Sequence, residues 1–329
     1  MSPKAKAILY LLTAALIWGC SYPIGRAALE HLTPLAYSSL RFMFGTLSLV
    51  PLALRWRRRP APMAYSGNVS PNLWLWGGML SGLCLSIGSI LQLSGLAQSS
   101  AGKVGFITTL YVSMVPVLAF VIGYVPRMLI LAGLGVGLVG LYLLTGGASG
   151  LGKSEGLVLV ADVFWATQVL ITGRFAARVN TWLFSLAQAM TSSAITLTLA
   201  FSFDQMPSWP VFIQTLPYTM WGILSVGVAY TCQTIAQRTI SSTSAALVFP
   251  LQSVIGAVAG MVFLGEHMSQ RMMVGAAIII IGCIVAQFAR ESSRVEPDHR
   301  HWKKLLMARI ALGVTIGLGA AGTLVWSLT

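Results

Sequence analysis

Long apolar stretches, broken at short intervals by Pro, Gly or charged residues, run along almost the whole chain. A helix needs about 20 such residues to cross the roughly 30 Å hydrocarbon core of a bilayer. The stretches predict helices at 7–28, 33–54, 73–97, 104–124, 128–147, 156–175, 181–203, 216–236, 242–264 and 271–289. The alternating strands that a membrane barrel requires do not occur in this pattern. The sequence therefore predicts an all-α polytopic membrane protein with ten transmembrane helices.

A further apolar stretch follows a polar segment at the end of the sequence. We expect residues 291–304 to form a cytoplasmic linker and residues 305–329 to form an eleventh transmembrane helix. An interfacial helix is the alternative, but this stretch is apolar on all sides. Its Gly313 and Gly317 form a GxxxG step, which is typical of helices that pack against each other in a membrane.

A segment of the first half of the chain is repeated in the second half. Residues 91–116 and 232–257 align at a constant offset of 141. The alignment pairs Gln92 with Gln233, Lys103 with Ser244, and Tyr111 with Gln252. A weaker match, at a different offset, relates the segments around Trp18 and Trp165. The chain is therefore predicted to contain an internal duplication.

The duplication has a geometric consequence, because each copy contains an odd number of helices. We predict one five-helix repeat at 1–147 and a second at 148–290. After five crossings the second copy enters the membrane from the opposite side. The two repeats are then related by a pseudo-two-fold axis in the membrane plane, the inverted design of many secondary transporters.

Charge and composition support the membrane assignment and set its orientation. Of the 329 residues, 56% are hydrophobic and only 9% are charged, against about 25% charged in a soluble domain. In a soluble protein the net charge of +13 would point to nucleic acid, but here Lys and Arg concentrate in alternate connections. We expect a cytoplasmic N-terminus in a cell membrane, with a bacterial inner membrane first, and no nucleic-acid partner.

The sequence gives no reason to expect a metal, a cofactor or an enzyme activity. The four cysteines, Cys20, Cys84, Cys232 and Cys283, form no CxxC and have no histidine at metal-ligand spacing. Residues 135–140 spell GxGxxG, but they lie inside an apolar helix, where close helix packing explains them. An intramembrane enzyme remains a different class of alternative, although all four histidines fall in or beside connections.

Polar and aromatic residues inside the apolar stretches are the candidates for a binding site. Amides and hydroxyls can bind a solute without carrying charge, and aromatic rings supply flat walls. Arg41 could bind a carboxylate with its bidentate fork or could equally serve a structural pair. The candidate substrate-binding residues are Trp18, Tyr22, Arg41, Gln92, Tyr111, Trp165, Tyr230, Gln233 and Gln252. Each aromatic alone is more readily explained by packing or by an interface anchor.

Asp162 is the only carboxylate well inside a predicted helix, about seven residues from its end. Placing a charge at such a depth costs free energy, so a charged residue there usually faces a cavity or pairs with another group. We consider three roles: a coupling residue that takes up a proton or contacts a substrate amine, a structural ion pair, and a carboxylate reached by water from the outer side. Protons are therefore a candidate coupling ion.

Several short motifs together resemble the EamA branch of the drug/metabolite transporter (DMT) superfamily. These are Trp18-Gly19-x-x-Tyr22-x-x-x-Arg26, Ser100-Ala101-Gly102-Lys103 through Val112, Gly227-Val228-Ala229-Tyr230 through Arg238, and Phe263-Leu264-Gly265-Glu266. The resemblance covers about residues 5–290. It implies ten helices around a central pocket that opens alternately to each side, and the export of amino acids or other small metabolites. A broader exporter of amphipathic drugs is the alternative.

The sequence departs from the family pattern at three places. Gln252 stands where many relatives have a glutamate, so a role for that carboxylate does not transfer. Residues 123–126 replace the acidic turn that would answer Gly265-Glu266 in the second repeat. The expected eleventh helix also lies outside the pattern.

Overall fold

The computed structural model describes residues 2–56, 72–121, 128–147, 152–204, 206–242, 245 and 248–288. Within these ranges the fold is built from helices. They are α1 (Pro3–Ala28), α2 (Pro34–Trp56), α3 (Leu73–Leu96), α4 (Ala101–Thr108), α5 (Tyr111–Val121), α6 (Met128–Thr145), α7 (Lys153–Phe175), α8 (Thr181–Phe203), α9 (Trp209–Met220), a π-helical segment (Ile223–Val228), α10 (Ala229–Ala236), α11 (Pro250–Leu264) and α12 (Gln270–Phe288).

The described helices confirm the predicted all-α membrane bundle. Seven spans are long and apolar enough to cross a bilayer, and three shorter apolar helices accompany them. The shorter ones are Leu131–Thr145, Pro250–Leu264 and Gln270–Val285. The predicted linker at 291–304 and the predicted eleventh helix at 305–329 lie outside the described residues.

The two repeats are built alike, down to the residue at which their second helices begin and end. Adding 147 to the bounds of α2, 34 and 56, gives 181 and 203, the bounds of α8. Both helices start at a polar cap: Thr33 Oγ1 accepts from Ala36 N at 3.1 Å, and Asn180 Oδ1 accepts from Trp182 N at 3.0 Å. The two capping residues, Thr33 and Asn180, are related by the same offset as the helices they cap.

The strongest helix packing joins one repeat to the other. The equivalent helices α2 and α8 pack together, as do α6 and α12. Other cross-repeat contacts include a pair that exchanges the halves: α1 packs on α11, and α7 packs on α4 and α5. The repeats therefore interlock around a shared centre instead of folding as two separate bundles, which is consistent with the inverted arrangement.

Glycines allow α6 and α12 to approach closely. A Cβ on Gly140 would lie 2.7 Å from the carbonyl oxygen of Gly275, and one on Gly282 would lie 2.6 Å from the amide nitrogen of Gly137. Small residues at such interfaces let helix backbones pack in a membrane. The GxGxxG run at 135–140 thus contributes to helix packing.

Three of the predicted helices are interrupted, which hydropathy did not indicate. The helix predicted at 104–124 breaks at Thr109, where i→i+3 hydrogen bonds replace the helical ones: Val112 N donates to Thr109 O at 3.1 Å and Ser113 N to Leu110 O at 3.0 Å. The one predicted at 216–236 begins at Trp209 and contains the π-helical segment. In the one predicted at 242–264, residues 248 and 249 form a turn before α11 begins at Pro250. Interruptions of this kind in transporters accompany binding sites near the midplane.

Candidate functional site

A cavity of about 60 Å³ lies between the repeats, with room for roughly four water molecules. All nine predicted substrate-binding residues line it: Trp18, Tyr22, Arg41, Gln92, Tyr111, Trp165, Tyr230, Gln233 and Gln252. Ser21, Leu93, Leu96, Thr108, Gln168 and Val169 complete the lining. The structure therefore brings the predicted residues together, while their role in binding stays a prediction.

Equivalent positions of the two repeats meet in this cavity. Trp18 and Trp165, which are related by the same offset as α2 and α8, both line it. Gln92 and Gln233, paired by the sequence alignment of the repeats, also do so. Tyr111 and Gln252, its counterpart in the second repeat, both line the cavity, and their side chains are close enough to interact. The cavity thus lies where the pseudo-two-fold axis would pass.

An aromatic wall closes one side of the cavity. The rings of Trp18 and Tyr230 lie 4.8 Å apart in a tilted arrangement, and Phe249 lies 5.8 Å from Trp18 and 5.9 Å from Tyr111. Trp18 Nε1 donates to the carbonyl oxygen of Ser225, in the π-helical segment, at 3.0 Å. This contact fixes the indole, so the wall is preorganised.

Amide side chains form a second, polar part of the lining. Gln168 and Gln233 bind each other through both amides, with N–O distances of 3.4 and 3.2 Å. Gln92 Nε2 donates to Thr108 Oγ1 at 2.9 Å, and the Tyr22 side chain interacts with the same two residues. These groups can exchange partners with a solute at low electrostatic cost, because none of them is charged.

Arg41 is the charged residue of the lining. Its side chain is buried, with 8% of the residue exposed, and its Nη2 donates to Ser89 Oγ at 2.6 Å. The guanidinium carbon lies 5.8 Å from the Tyr37 ring centre and 5.2 Å from that of Phe42. Arg41 Nε has no hydrogen-bond partner among the described residues.

Asp162 lies behind the cavity wall and is not part of the lining. Neither carboxyl oxygen has a hydrogen-bond partner within the described part of the chain, and the residue is fully buried. It interacts electrostatically with Tyr22, Tyr111 and Cys283. The structural ion pair considered from the sequence is therefore not formed with any described residue.

Two contacts between the repeats close one end of the bundle; we call them the Glu266 closure. Glu266 accepts from the amides of Ala101 and Gly102 at 2.7 and 3.0 Å, which caps the N-terminus of α4. Lys103 Nζ forms an ion pair with Glu155 at 2.6 Å. Gly265, at φ 64°, adopts the left-handed conformation that ends α11 just before Glu266.

Hydrogen bonds are formed near the opposite end of the bundle. Asn180 Nδ2 donates to the carbonyl oxygen of Trp56 at 3.1 Å, and Arg238 Nη1 donates to Thr181 Oγ1 at 3.3 Å. Burial lowers the pKa of Arg238, which lies just beyond α10. The contact between Asn180 and Trp56 joins the second repeat to the first at this end.

Sequence reasoning missed several of the residues that complete the site. Gln168 lies three positions after Trp165, on the same side of α7, so helical spacing could have identified it. Ser89 and Phe249 gave no such signal, because their contacts with Arg41 and Trp18 depend on helix packing. Glu155 was missed for the same reason, since its partner Lys103 belongs to the other repeat.

Comparison with known proteins identifies the family. A family model described as EamA-like transporter family matches residues 5–146 and matches again at residues 153–288. The chain belongs to the EamA-like transporter family. As an EamA-like protein with two copies of the domain, it is a multi-pass membrane transporter and not an enzyme, and its substrate is a small molecule.

Two further likenesses agree with this assignment. A protein of Archaeoglobus fulgidus (strain ATCC 49558 / DSM 4304 / JCM 9628 / NBRC 100126 / VC-16), named only as an uncharacterized transporter, is 24% identical over 281 residues, which is 85% of each chain. A solved crystal structure superposes with a TM-score of 0.62 at 21% identity, covering 86% of this EamA-like chain and 97% of the other. At that identity the likeness shows the fold alone.

Proposed function

We propose that this EamA-like protein is a secondary transporter that exports small organic metabolites, amino acids first, by alternating access to the central cavity. One observation carries the proposal: equivalent side chains of both repeats converge on one cavity. A rearrangement of one repeat relative to the other would then expose the same residues to each side in turn.

The proposed orientation places the N-terminus in the cytoplasm, in a bacterial inner membrane. α1 then ends on the outer side, and so do α3 and α11, so the Glu266 closure lies outside. The contacts of Asn180 and Arg238 lie on the cytoplasmic side. The charge distribution along the connections supports this orientation.

The volume of the cavity favours a compact metabolite over an amphipathic drug. A space of about 60 Å³ holds only a few water-sized groups. Drug-sized ligands occupy pockets of about 300–1,000 Å³. The polar amides along the lining also match a hydrogen-bonding solute better than a purely apolar one.

Counterflow in liposomes containing the purified full-length protein tests the proposal. The panel is radiolabelled alanine, threonine and leucine, a nucleoside, and a fluorescent dye. We expect exchange of at least one amino acid, lost in Tyr230→Ala and retained in Tyr142→Ala. Tyr142 is the matched control because its side chain lies on the outside of α6, with 52% of the residue exposed. Absence of exchange for every solute, or equal exchange by both variants, contradicts the proposal.

We further propose that Asp162 binds the coupling proton. A buried carboxylate without a partner is costly in hydrocarbon, and protonation removes its charge. The titratable groups that interact with it are Tyr22 on α1, Tyr111 on α5 and Cys283 on α12. Two of these, Tyr22 and Tyr111, also line the cavity, so proton binding and solute binding share residues.

A charge-neutral substitution tests the coupling. Asp162→Asn should retain counterflow but lose the dependence of net transport on an imposed pH gradient. Glu30→Gln is the control, because it removes the same charge at a position just beyond α1. Transport by Asp162→Asn that still follows the pH gradient would show that another group carries the proton.

A further inference from the structure

Arg41 lies deep enough in α2 to require a partner. It is the eighth residue of the helix, which places its Cα roughly 10 Å along the axis from Pro34. Its side chain is buried and lines the cavity. A guanidinium at this position has left bulk water, so its charge needs either a counterion or a wet cavity.

The protein's own carboxylates do not supply that counterion within the described residues. Glu155 pairs with Lys103, Glu266 caps α4, and Asp204 binds Thr33. Asp162 makes no hydrogen bond with a described group, and Glu30 lies beyond the end of α1. Of the donors of Arg41, Nη2 is used by Ser89 and Nε is unused.

The rest of the lining contains no second charge in the described part of the chain. The other fourteen lining residues are neutral aromatic, amide, hydroxyl or aliphatic side chains. A solute carboxylate therefore has one charged partner available, whose planar fork matches its two oxygens. A solute ammonium would meet only amide oxygens, hydroxyls and aromatic faces.

We infer that the cavity selects small solutes by a carboxylate group that binds Arg41, and that an amino group on the solute is dispensable. This inference rests on the proposed function and narrows its substrate class to compact carboxylic acids, whether amino acids or hydroxy acids. The solute's charge would replace the missing counterion of Arg41, so binding and charge compensation occur in one step.

Ligand-dependent stabilisation of the purified full-length protein tests the inference at pH 7. The probes form two series of matched skeleton: L-alanine, L-lactate and L-alaninamide, then L-leucine, its 2-hydroxy analogue and L-leucinamide. We expect the two carboxylates of the alanine series to raise the melting temperature, the larger leucine skeleton to do so less, and the amide of each series to have no effect. A ligand that binds only the folded protein stabilises it by RT ln(1 + c/Kd), where c is the free ligand concentration, so at equal concentration the tighter ligand gives the larger shift in melting temperature.

The variants are Arg41→Gln, which removes the charge, and Arg41→Lys, which keeps the charge without the fork. A charged hydrogen bond of about 1.5–3 kcal/mol corresponds to roughly 10- to 100-fold in affinity. We expect Arg41→Gln to lose carboxylate binding by that factor and Arg41→Lys to bind more weakly than the wild type while still discriminating against the amides. Arg26→Gln is the control, because it removes the same charge from α1 outside the cavity.

The outcomes separate this inference from the proposed function. Counterflow with equal affinity for acid and amide, or discrimination that survives in Arg41→Gln, would overturn the role of Arg41 and leave transport intact. Counterflow of other solutes with no stabilisation by any carboxylate probe would do the same. Failure of the wild type to exchange any solute would overturn both. If Arg41→Gln does not fold, as judged by its melting curve, Arg41→Lys decides.

Discussion

Arg41 on α2 and Gln188 on α8 occupy equivalent positions of the two repeats, and their surroundings differ in one respect. Their main-chain carbonyls have the same kind of neighbour: the carbonyl oxygen of Arg41 lies against Gly222, and that of Gln188 lies against Gly82. Their side chains have different surroundings. Gln188 Oε1 accepts from Ser81 Oγ at 2.6 Å and does not line the cavity, whereas Arg41 does.

This comparison separates what the duplication preserves from what it changes. Backbone contacts, helix bounds and caps are preserved, because both repeats must pack against each other in the same way. The polar chemistry is altered at single positions: Arg41 against Gln188, Tyr111 against Gln252, Asp162 against Ala15. A cavity with one charged wall can bind a solute in one orientation, which a symmetric cavity could not enforce.

The largest loss of stability is expected at the glycines that face the equivalent carbonyl oxygens of Arg41 and Gln188. In Gly222→Ala the new Cβ would overlap the carbonyl oxygen of Arg41, and in Gly82→Ala it would lie 2.5 Å from that of Gln188. Both carbonyls belong to helix backbone, which cannot yield easily, so we expect a loss of about 3 kcal/mol or more for Gly222→Ala. Gly82→Ala should lose less. Melting curves measure both.

Gly135→Ala is the control for these substitutions, since apart from its own helix backbone no described residue comes within 4 Å of the Cβ it would add. It should leave the melting temperature unchanged or slightly raised, because alanine is the better helix former. A Gly222→Ala protein as stable as Gly135→Ala would show that the approach of α2 to the π-helical segment is not needed for folding.

An intermediate effect on stability is expected for Gln188, whose side chain does not line the cavity. Gln188→Leu keeps the size of the residue and removes the acceptor of Ser81, which should lower stability by about 1–3 kcal/mol. The ratio of affinities for acid and amide should not change, in contrast to Arg41→Gln. A change in that ratio in Gln188→Leu would mean that both positions act on the solute, and the comparison would fail.

The smallest effect concerns the two equivalent tryptophans. Trp18→Phe removes the hydrogen bond to the carbonyl oxygen of Ser225 and should cost about 1 kcal/mol for that bond. Trp165 Nε1 has no partner among the described residues, so Trp165→Phe removes buried ring volume but no hydrogen bond and should cost about 1 kcal/mol less than Trp18→Phe. Its effect, if the indole binds a solute directly, falls on affinity. Equal melting temperatures for the two variants would contradict this.

The fold was predictable to a large extent because hydropathy and charge act directly on each segment. A glutamine or an arginine inside an apolar stretch is visible without knowledge of its neighbours, so the cavity residues Arg41, Gln92 and Gln233 could be selected from the sequence. The duplication then indicated that they would meet. Helix breaks at Thr109 and in the π-helical segment were missed, because both depend on how neighbouring helices pack.

The sequence does not show which way a side chain points around its helix, or which residues of other helices it contacts. Asp162 and Trp165 lie about one helical turn apart, and the sequence predicts a functional role for both, but of the two only Trp165 lines the cavity. The depth of a residue in a helix does not show whether other side chains separate it from a cavity. Tyr22 and Tyr111 line the cavity, whereas Asp162 does not. Glu155, the partner of Lys103, lies in the other repeat, so no local pattern could pair them.

The Glu266 closure makes the conformation of the protein measurable from outside the cavity. Any solute that binds better when this end is shut must tighten the contacts of Glu266 and Lys103 by the same free energy, since linkage is reciprocal. A pair of distance-sensitive labels at the exposed residues Gln98 and His267 would sense that shift. An unknown solute could then be found by the movement it causes, before any transport of it has been measured.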